Sequence, residues 1–128
     1  MKIVGIGVDI INNKRIQLSI KNKNFINRIF GKNEILVSKK FKNKANFFSK
    51  RFAAKESLAK ALGIGFRENL NFKDIQIIND KLGKPYYLIS SKIKNLIKKE
   101  KKIKNFNLFL SISDEKEYSV AFTMIEKI

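Results

Sequence analysis

The sequence predicts an α+β fold in which a mostly antiparallel sheet packs around one central helix. Three observations predict it. The chain opens with an apolar, β-branched run, its middle is the alanine-rich stretch RFAAKESLAKALGIG, and two pairs of alternating segments with turn residues between them follow. Because strands and helices do not alternate regularly, the pattern favours an α+β domain over a parallel α/β domain. At 128 residues, the chain is expected to form one domain over residues 1–128.

The first strand is predicted from Ile3 to Ile11, as a buried strand whose glycines Gly5 and Gly7 permit close packing or a bulge. Asp9 interrupts this apolar run. A buried carboxylate is unfavourable unless it is paired, capped or bound to a cation. Two simpler interpretations stay open: Asp9 faces solvent, or it bonds the backbone near the strand end.

Short helices are predicted between the first strand and Lys50. Apolar residues recur at helical spacing from Arg15 to Ile20 and from Phe25 to Phe30, with Gly31 as a stop. The stretch Lys39–Lys50 mixes lysines with phenylalanines. This mixture is typical of an amphipathic helix with a solvated face, although lysines among aromatic residues also bind single-stranded nucleic acid.

The central helix is predicted from Phe52 to Leu62, ended by Gly63, because alanine, leucine, lysine and glutamate favour helices. Its four notable charges are Arg51, Lys55, Glu56 and Lys60. The two N-terminal cations fall within the apolar sector, and the other two residues are spaced (i, i+4) on its flank. In one interpretation, Arg51 and Lys55 extend to solvent at the edge of the core, and Glu56 and Lys60 form an ordinary helical ion pair. In the other, the helix carries a binding site for an anion next to the Glu56 carboxylate.

The C-terminal half is predicted to contain two hairpins and one helix. The predicted elements are strands Ile75–Ile78 and Tyr86–Ile89, joined by the turn Asn79–Pro85, a helix Ser91–Lys99 capped by Ser90, and strands Asn107–Ser113 and Tyr118–Glu126.

Composition restricts the chemistry. A net charge of +17 predicts an anionic partner, and the absence of cysteine and histidine excludes disulfides, thiol nucleophiles and zinc sites built on those residues. Any catalysis must use carboxylates, lysines, hydroxyls or a metal-bound water. The N-terminal apolar run is too short to span a membrane, so we expect a cytoplasmic protein.

Five motifs together carry a resemblance to a known family. They are GIGVDII followed by Arg15, then FINRIFGKNE, RFAAKESLAKALG, NDKLGKPYY and LSISDEKEYSVAF. In this order, and over essentially the whole chain, the sequence resembles the bacterial holo-acyl-carrier-protein synthases, the small type of 4′-phosphopantetheinyl transferase. The resemblance implies the fold of that family and a place in fatty acid biosynthesis.

The resemblance implies Mg²⁺-dependent transfer of 4′-phosphopantetheine from coenzyme A to a serine of an acidic apo-acyl carrier protein. By position, it implies metal carboxylates at Asp9 and Glu56, with Glu56 and Lys60 acting in catalysis. It also implies a set of coenzyme A contacts: Arg51, Lys55, Gly63, Gly83, Lys84 and Pro85. Arg15 and Arg28 correspond to residues that meet the carrier protein.

The residues suit this chemistry. Phosphoryl transfer needs charge neutralisation and positioning more than covalent work, and two carboxylates suit Mg²⁺. Glu56, another carboxylate or a metal-bound water are alternative bases for the carrier serine. Asp114 stands where many relatives have histidine, and its role is left open.

The resemblance further implies a homotrimer, with a site shared between Asp9 and Glu56 of one chain and Arg15 and Arg28 of a neighbour. It implies no nucleic-acid partner. The alternative hypothesis is a basic RNA-binding module without catalysis, which would explain the net charge but not Asp9 in an apolar strand.

Overall fold

The structure is a computed structural model that describes residues 1–64 and 70–128; Gly65, the last residue of RFAAKESLAKALGIG, lies outside the described residues. In chain order the elements are β1 Lys2–Asn12, α1 Asn13–Ser19, α2 Lys23–Ile29, α3 Lys32–Ser38, α4 Lys44–Leu62, a 3₁₀ turn Phe72–Asp74, β2 Ile75–Asn79, β3 Pro85–Ile89, α5 Ser91–Lys101, β4 Phe106–Asp114 and β5 Tyr118–Lys127.

The strands form two antiparallel sheets. One has three strands in the order β1-β5-β4, and the other is the β2-β3 hairpin. Helix α4 packs on β1 and β5 and also contacts β2, so one hydrophobic core continues from sheet to sheet. The predicted α+β fold around a central helix is confirmed, and so are both hairpins and the Ser90 cap of α5.

Helix α4 is longer than predicted, because it starts at Lys44 and not at Phe52. Its start is capped by the Asn43 side chain, which accepts a hydrogen bond from the Asn46 backbone N–H (2.9 Å). Its end is the predicted one: Gly63 has φ 81°, a left-handed conformation that glycine adopts without strain. Part of the stretch Lys39–Lys50 therefore belongs to the central helix.

Strand β1 is buried on one face only, so the prediction of a buried strand is wrong for the other face. The alternate residues Ile6, Val8 and Ile10 are 60%, 54% and 64% exposed. Side chains alternate across a strand, so Gly5 and Gly7 lie on the opposite face, against α4.

Gly31 has a different role from the predicted helix stop. Phe30 caps the C-terminus of α2, whereas Gly31 is the N-cap of α3, a helix that the sequence pattern did not separate. The backbone N–H of Gly31 donates to the buried Glu34 carboxylate (3.1 Å). Within the described residues, no helix is long and apolar enough to cross a bilayer.

Candidate active site

Two glycines let α4 lie directly on the backbone of β1. A Cβ atom at Gly7 would be 1.9 Å from the carbonyl oxygen of Ser57, and one at Gly5 would be 2.5 Å from that of Ala61. Any side chain there would push the helix away. The close approach carries Asp9, the next residue on the same face of β1, to the flank of α4.

Asp9 faces the helix and is paired. Its Oδ1 lies 3.0 Å from Nζ of Lys60, and the side chain of Asp9 is 13% exposed. The simpler interpretation of a solvent-facing carboxylate is therefore wrong. Its second oxygen, Oδ2, is buried and has no hydrogen-bond partner among the described residues. A buried carboxylate oxygen without a donor is a natural ligand for a cation.

Glu56 is the second carboxylate of this group and is half-buried. Burial raises its pKa, the negative charge of Asp9 raises it further, and Lys60 and Arg15 oppose the shift. The two carboxylates are thus close enough to repel each other, and one cation between them would relieve the repulsion. Asp9, Glu56 and Lys60 are called the Asp9–Glu56 site below.

The donor set fits Mg²⁺. Over residues 1–64 and 70–128, no group of three or more histidine, cysteine, aspartate or glutamate side chains is placed to hold a metal. Mg²⁺ is typically bound by one or two carboxylates and fills its shell with waters and substrate phosphates. Asp9 and Glu56 match that requirement, whereas a metal that needs a complete protein cage would not be satisfied.

A cleft of about 650 Å³ opens beside Glu56, and we call it the Glu56 cleft. Arg15 and Arg28 of the same chain line it with Glu56. Within one chain, α1 and α2 thus already bring these two arginines to Glu56. The expectation that a neighbouring chain supplies them stays a prediction. The aromatic rings of Phe25 and Phe52 meet at 5.9 Å on its wall.

Buried hydroxyls hold α4 in place next to Glu56. Ser57 Oγ is 2.6 Å from Thr123 Oγ1 on β5, and the Tyr87 hydroxyl on β3 is 2.7 Å from the same atom. The Tyr87 hydroxyl also donates to the Ala54 carbonyl oxygen (2.6 Å). Burial raises the pKa of Tyr87 to about 12, so it stays a neutral donor. The cluster fixes which face of α4 presents Glu56.

Arg51 lies near the middle of α4, five residues before Glu56, and is 6% exposed. Its guanidinium stacks 3.5 Å above the centre of the Phe47 ring and donates to the Asn79 side-chain oxygen (2.7 Å). Burial lowers the pKa of Arg51 to about 10, with Glu34 opposing the shift. Asn79 in turn donates to the Gly83 carbonyl oxygen (2.9 Å), which ties Arg51 to the β2-β3 turn.

The β2-β3 turn forms a second, smaller cleft with Arg51. Gly83 has φ 87°, and its N–H donates to the Asp80 carbonyl oxygen (3.0 Å). The cleft, which we call the Arg51 cleft, measures about 110 Å³ and is lined in part by Lys50, Arg51, Asn79, Gly83, Pro85 and Asp114. Lys84 is exposed on the same turn. Asp114 accepts a hydrogen bond from the Asn46 side chain (2.7 Å).

Lys55 lies in neither cleft. It is 0% exposed, and its Nζ donates to Glu34 Oε1 (2.6 Å) and to the carbonyl oxygens of Ile29 (3.0 Å), Phe72 (2.9 Å) and Ile75 (2.7 Å). It does not snorkel, and it has no path to a ligand in this conformation. The structure gives no support to the predicted coenzyme contact of Lys55.

Gly63 is the remaining residue predicted to contact the coenzyme, and it ends α4 three residues after Lys60. From Arg51 the helix rises by about 8 Å to Glu56 and by about 14 Å to Lys60, at about 1.5 Å per residue. The structure brings together Arg51, Gly83 and Pro85 in one group, and Asp9, Glu56 and Lys60 in another. It does not join the two groups in one cleft of the described chain.

Comparison with known proteins identifies the family. A sequence profile of the 4′-phosphopantetheinyl transferase superfamily matches residues 5–123. The chain belongs to this superfamily. It is 63% identical, over 127 residues and 99% of each chain, to the holo-[acyl-carrier-protein] synthase of Pelagibacter ubique. The predicted resemblance, and with it an enzyme of this family, is confirmed.

Solved structures of the family share the fold. The holo-[acyl-carrier-protein] synthase of Neisseria meningitidis superposes with a TM-score of 0.87 at 38% identity, covering 98% of this chain and 100% of that chain. The synthase of Bacillus anthracis, solved in complex with CoA (3′,5′-ADP), gives a TM-score of 0.82 at 37% identity and covers 98% of both chains.

The close packing predicted at Gly5 and Gly7 is confirmed, but sequence reasoning did not connect it with the position of Asp9. The spacing Gly5, Gly7, Asp9 was a usable signal, because alternate residues share one strand face and glycines there indicate a close neighbour. Lys92 at the start of α5 also lines the Glu56 cleft. Nothing separates Lys92 from the other lysines of that basic segment in the sequence, so no pattern could have found it.

Proposed function

We propose that this chain transfers the 4′-phosphopantetheine arm of coenzyme A to a serine of an apo-acyl carrier protein with the help of Mg²⁺, releasing adenosine 3′,5′-bisphosphate. The observation that carries the proposal is the Asp9–Glu56 site itself. Two carboxylates from different elements meet beside a half-exposed lysine, and a buried carboxylate oxygen finds no donor in residues 1–64 and 70–128. The cytoplasmic location stays a prediction.

Asp9 and Glu56 would hold Mg²⁺, which would supply charge neutralisation at the pyrophosphate of the coenzyme. The side chain of Lys60 is 54% exposed, so its ammonium can leave Asp9 for a phosphate oxygen at small cost. Glu56, another carboxylate or a metal-bound water would accept the proton of the carrier serine. Arg15 and Arg28 beside Glu56 suit an acidic carrier protein.

The proposal is tested by incubating the chain with coenzyme A, Mg²⁺ and an apo-carrier protein. Intact-mass spectrometry should show the gain of one phosphopantetheine arm on the carrier, and chelation with EDTA should prevent it. The carrier with its acceptor serine replaced by alanine is the matched control. No mass gain with several apo-carriers would refute the function, and a gain that persists in EDTA would refute the metal.

The proposal includes a homotrimer, and the free face of the three-stranded sheet supports it. Ile6, Val8 and Ile10 of β1 lie on this face with Phe122 of β5 and Phe109 of β4, and all five are at least 39% exposed. A contiguous apolar face of this kind is typical of a protein–protein interface. The split between the Arg51 cleft and the Asp9–Glu56 site also favours a site that is completed by a neighbouring chain.

Light scattering at assay concentration tests the assembly. Val8→Lys places a charge at the centre of the apolar sheet face and should convert trimer to monomer. Leu82→Lys is the control, because Leu82 is 96% exposed at the hairpin turn, away from this face. A monomeric wild-type chain, or a Val8→Lys variant that still forms the trimer, would contradict the assembly.

The alternative of an RNA-binding module gains no support from the basic stretch Lys39–Lys50. Two of its three phenylalanines, Phe47 and Phe48, are 1% and 2% exposed, and the Phe41 ring packs on Phe47 at 4.8 Å. Stacking on bases needs exposed aromatic faces. The buried rings favour the enzyme over the nucleic-acid binder.

A further inference from the structure

Lys55 joins five segments of the chain through one ammonium group. Three N–H donors face four acceptors, namely Glu34 Oε1 and the carbonyl oxygens of Ile29, Phe72 and Ile75, all within 3.0 Å. Glu34 passes the connection on, because it also accepts from the backbone N–H groups of Gly31 (3.1 Å) and Ile77 (3.3 Å). Lys55 and Glu34 with these partners are called the Lys55 cluster.

Two of the carbonyls that Lys55 holds belong to residues that line the Glu56 cleft. Ile29 is the last residue of α2 and directly follows Arg28, and Phe72 opens the 3₁₀ turn. The last carbonyls of a helix have no partner within the helix, so the end of α2 depends on an outside donor. Lys55 is that donor for Ile29.

The same cluster controls the apolar wall of the cleft. The Phe72 ring packs against Phe52 of α4 (6.2 Å between centroids), and Phe52 packs against Phe25 of α2. Without the ammonium, the end of α2 and the 3₁₀ turn would each lose a charge-assisted hydrogen bond. Both the position of Arg28 and the aromatic wall would change together.

The Arg51 cleft is less dependent on this cluster. Strand β2 is paired along its length with β3, from Ile75 opposite Ile89 to Asn79 opposite Pro85. Arg51 is held there by Asn79 and by the Phe47 ring. Loss of the Lys55 ammonium therefore leaves the main supports of that cleft in place.

We propose that Lys55 is a positioning residue for the carrier protein: it fixes Ile29 and Phe72, and so holds the Glu56 cleft open in the shape that receives the partner. The inference rests on the proposed transferase function. It replaces the coenzyme contact predicted for Lys55 from the sequence. It assigns the shape of the cleft to a side chain that touches neither substrate nor metal.

The test is a steady-state comparison of Lys55→Met with the wild-type chain, varying apo-carrier and coenzyme A in turn. We expect the KM for the carrier to rise about tenfold or more, while kcat and the KM for coenzyme A change by less than about threefold. KM is independent of the fraction of folded enzyme, so partial unfolding does not imitate this result. Leu108→Ala, a truncation on β4 away from both clefts, is the control for lost stability.

A second variant keeps the test decisive if the buried Glu34 charge prevents Lys55→Met from folding. Lys55→Met/Glu34→Gln removes both charges, and the single amide oxygen of the glutamine retains an acceptor for one of the two backbone N–H groups, that of Gly31 or that of Ile77. The double variant should show the same selective rise in the carrier KM. A rise in the coenzyme A KM alone would restore Lys55 as a coenzyme contact and overturn the proposal. Unchanged constants, or changes equal to those of Leu108→Ala, would overturn it as well.

The wild-type chain, assayed in parallel, separates the two hypotheses. If it does not modify any carrier, the proposed function fails. If it modifies the carrier but the variants show no selective effect on the carrier KM, only the role of Lys55 fails.

Discussion

Lys55 and Lys60 lie on the same helix, yet they occupy opposite environments. Lys55 is fully buried with four acceptors, whereas the side chain of Lys60 is 54% exposed and makes one ion pair, to Asp9. A buried ammonium whose hydrogen bonds are all made inside the protein stabilises the fold. An exposed ammonium with one surface ion pair can leave that pair for a ligand at little cost. This contrast supports the proposal that one lysine of the motif stabilises the fold and the other acts in the transfer reaction.

The same contrast distinguishes the carboxylates. Glu34 is 2% exposed, and both of its oxygens accept hydrogen bonds. Asp9 keeps one buried oxygen without a donor in the part of the chain that the structure describes, and burial raises the pKa of Glu56. The Lys55 cluster is internally satisfied, and the Asp9–Glu56 site is not. An unsatisfied group is one that a cation or substrate can satisfy.

The largest expected effect comes from removing a charge at the unsatisfied site. Asp9→Asn should lower the rate of carrier modification by at least about 10³-fold, because it removes several kcal/mol of metal-mediated charge stabilisation. Its circular dichroism spectrum should match that of the wild-type chain. Glu100→Gln, which also removes one carboxylate charge but lies on the exposed surface of α5, is the control and should keep most of the activity. Near-normal turnover by Asp9→Asn would remove Asp9 from the site.

A smaller effect is expected when the distance between β1 and α4 is altered. Gly7→Ala places a Cβ atom 1.9 Å from the Ser57 carbonyl oxygen, so the helix must move. We expect about 1–3 kcal/mol of lost stability and about 10²-fold slower turnover, because Asp9 and Glu56 separate. Urea unfolding measures the loss of stability, and single-turnover assays measure the rate of transfer.

The control for this variant is Gly31→Ala. Gly31 has φ −73°, and its added Cβ would meet only the flexible Gln76 side chain at 3.3 Å. Gly31→Ala should therefore change stability and the rate of transfer only slightly. Equal effects of the two alanine substitutions would show that the close contact at Gly7 does not position the site.

The smallest effect is on stability and has a defined pH dependence. The folded chain raises the pKa of Glu56 above its ordinary value of 4.5, so the fold favours the neutral form. This destabilising contribution is absent below the unfolded pKa and is fully present above the raised, folded pKa. In EDTA, Glu56→Gln should thus raise Tm relative to wild type by about 1–3 °C at pH 7, and less at pH 4.

Glu100→Gln, on the exposed surface of α5, is the control and should show no such difference between the two pH values. A Glu56→Gln advantage that is equal at pH 4 and pH 7 would contradict the proposed environment of Glu56.

Much of this organisation could be predicted from the sequence. The hairpins, the Ser90 cap and the end of α4 at Gly63 follow from local patterns and were found close to their observed bounds. The anomaly of Asp9 in an apolar strand correctly indicated a partner. These features depend on residues near one another in the chain, and their turn and cap chemistry is local.

The burial of Lys55 and its hydrogen bonds could not be predicted, because its partners lie in segments far apart in the sequence. Periodicity placed it in an apolar sector but could not show that Glu34 and three carbonyl groups converge on that point. The free face of β1 was missed for a related reason. An apolar strand predicts burial without distinguishing the core of one chain from a contact between chains.

The central claim is that Lys60 acts in the transfer reaction, whereas Lys55 stabilises the fold around the Glu56 cleft. Single-turnover rates with both substrates saturating, measured side by side for Lys60→Met and Lys55→Met, test it most directly. We predict that Lys60→Met slows transfer by about 10–10²-fold, while Lys55→Met stays within about threefold of wild type. A slow Lys55→Met together with a fast Lys60→Met would contradict the account.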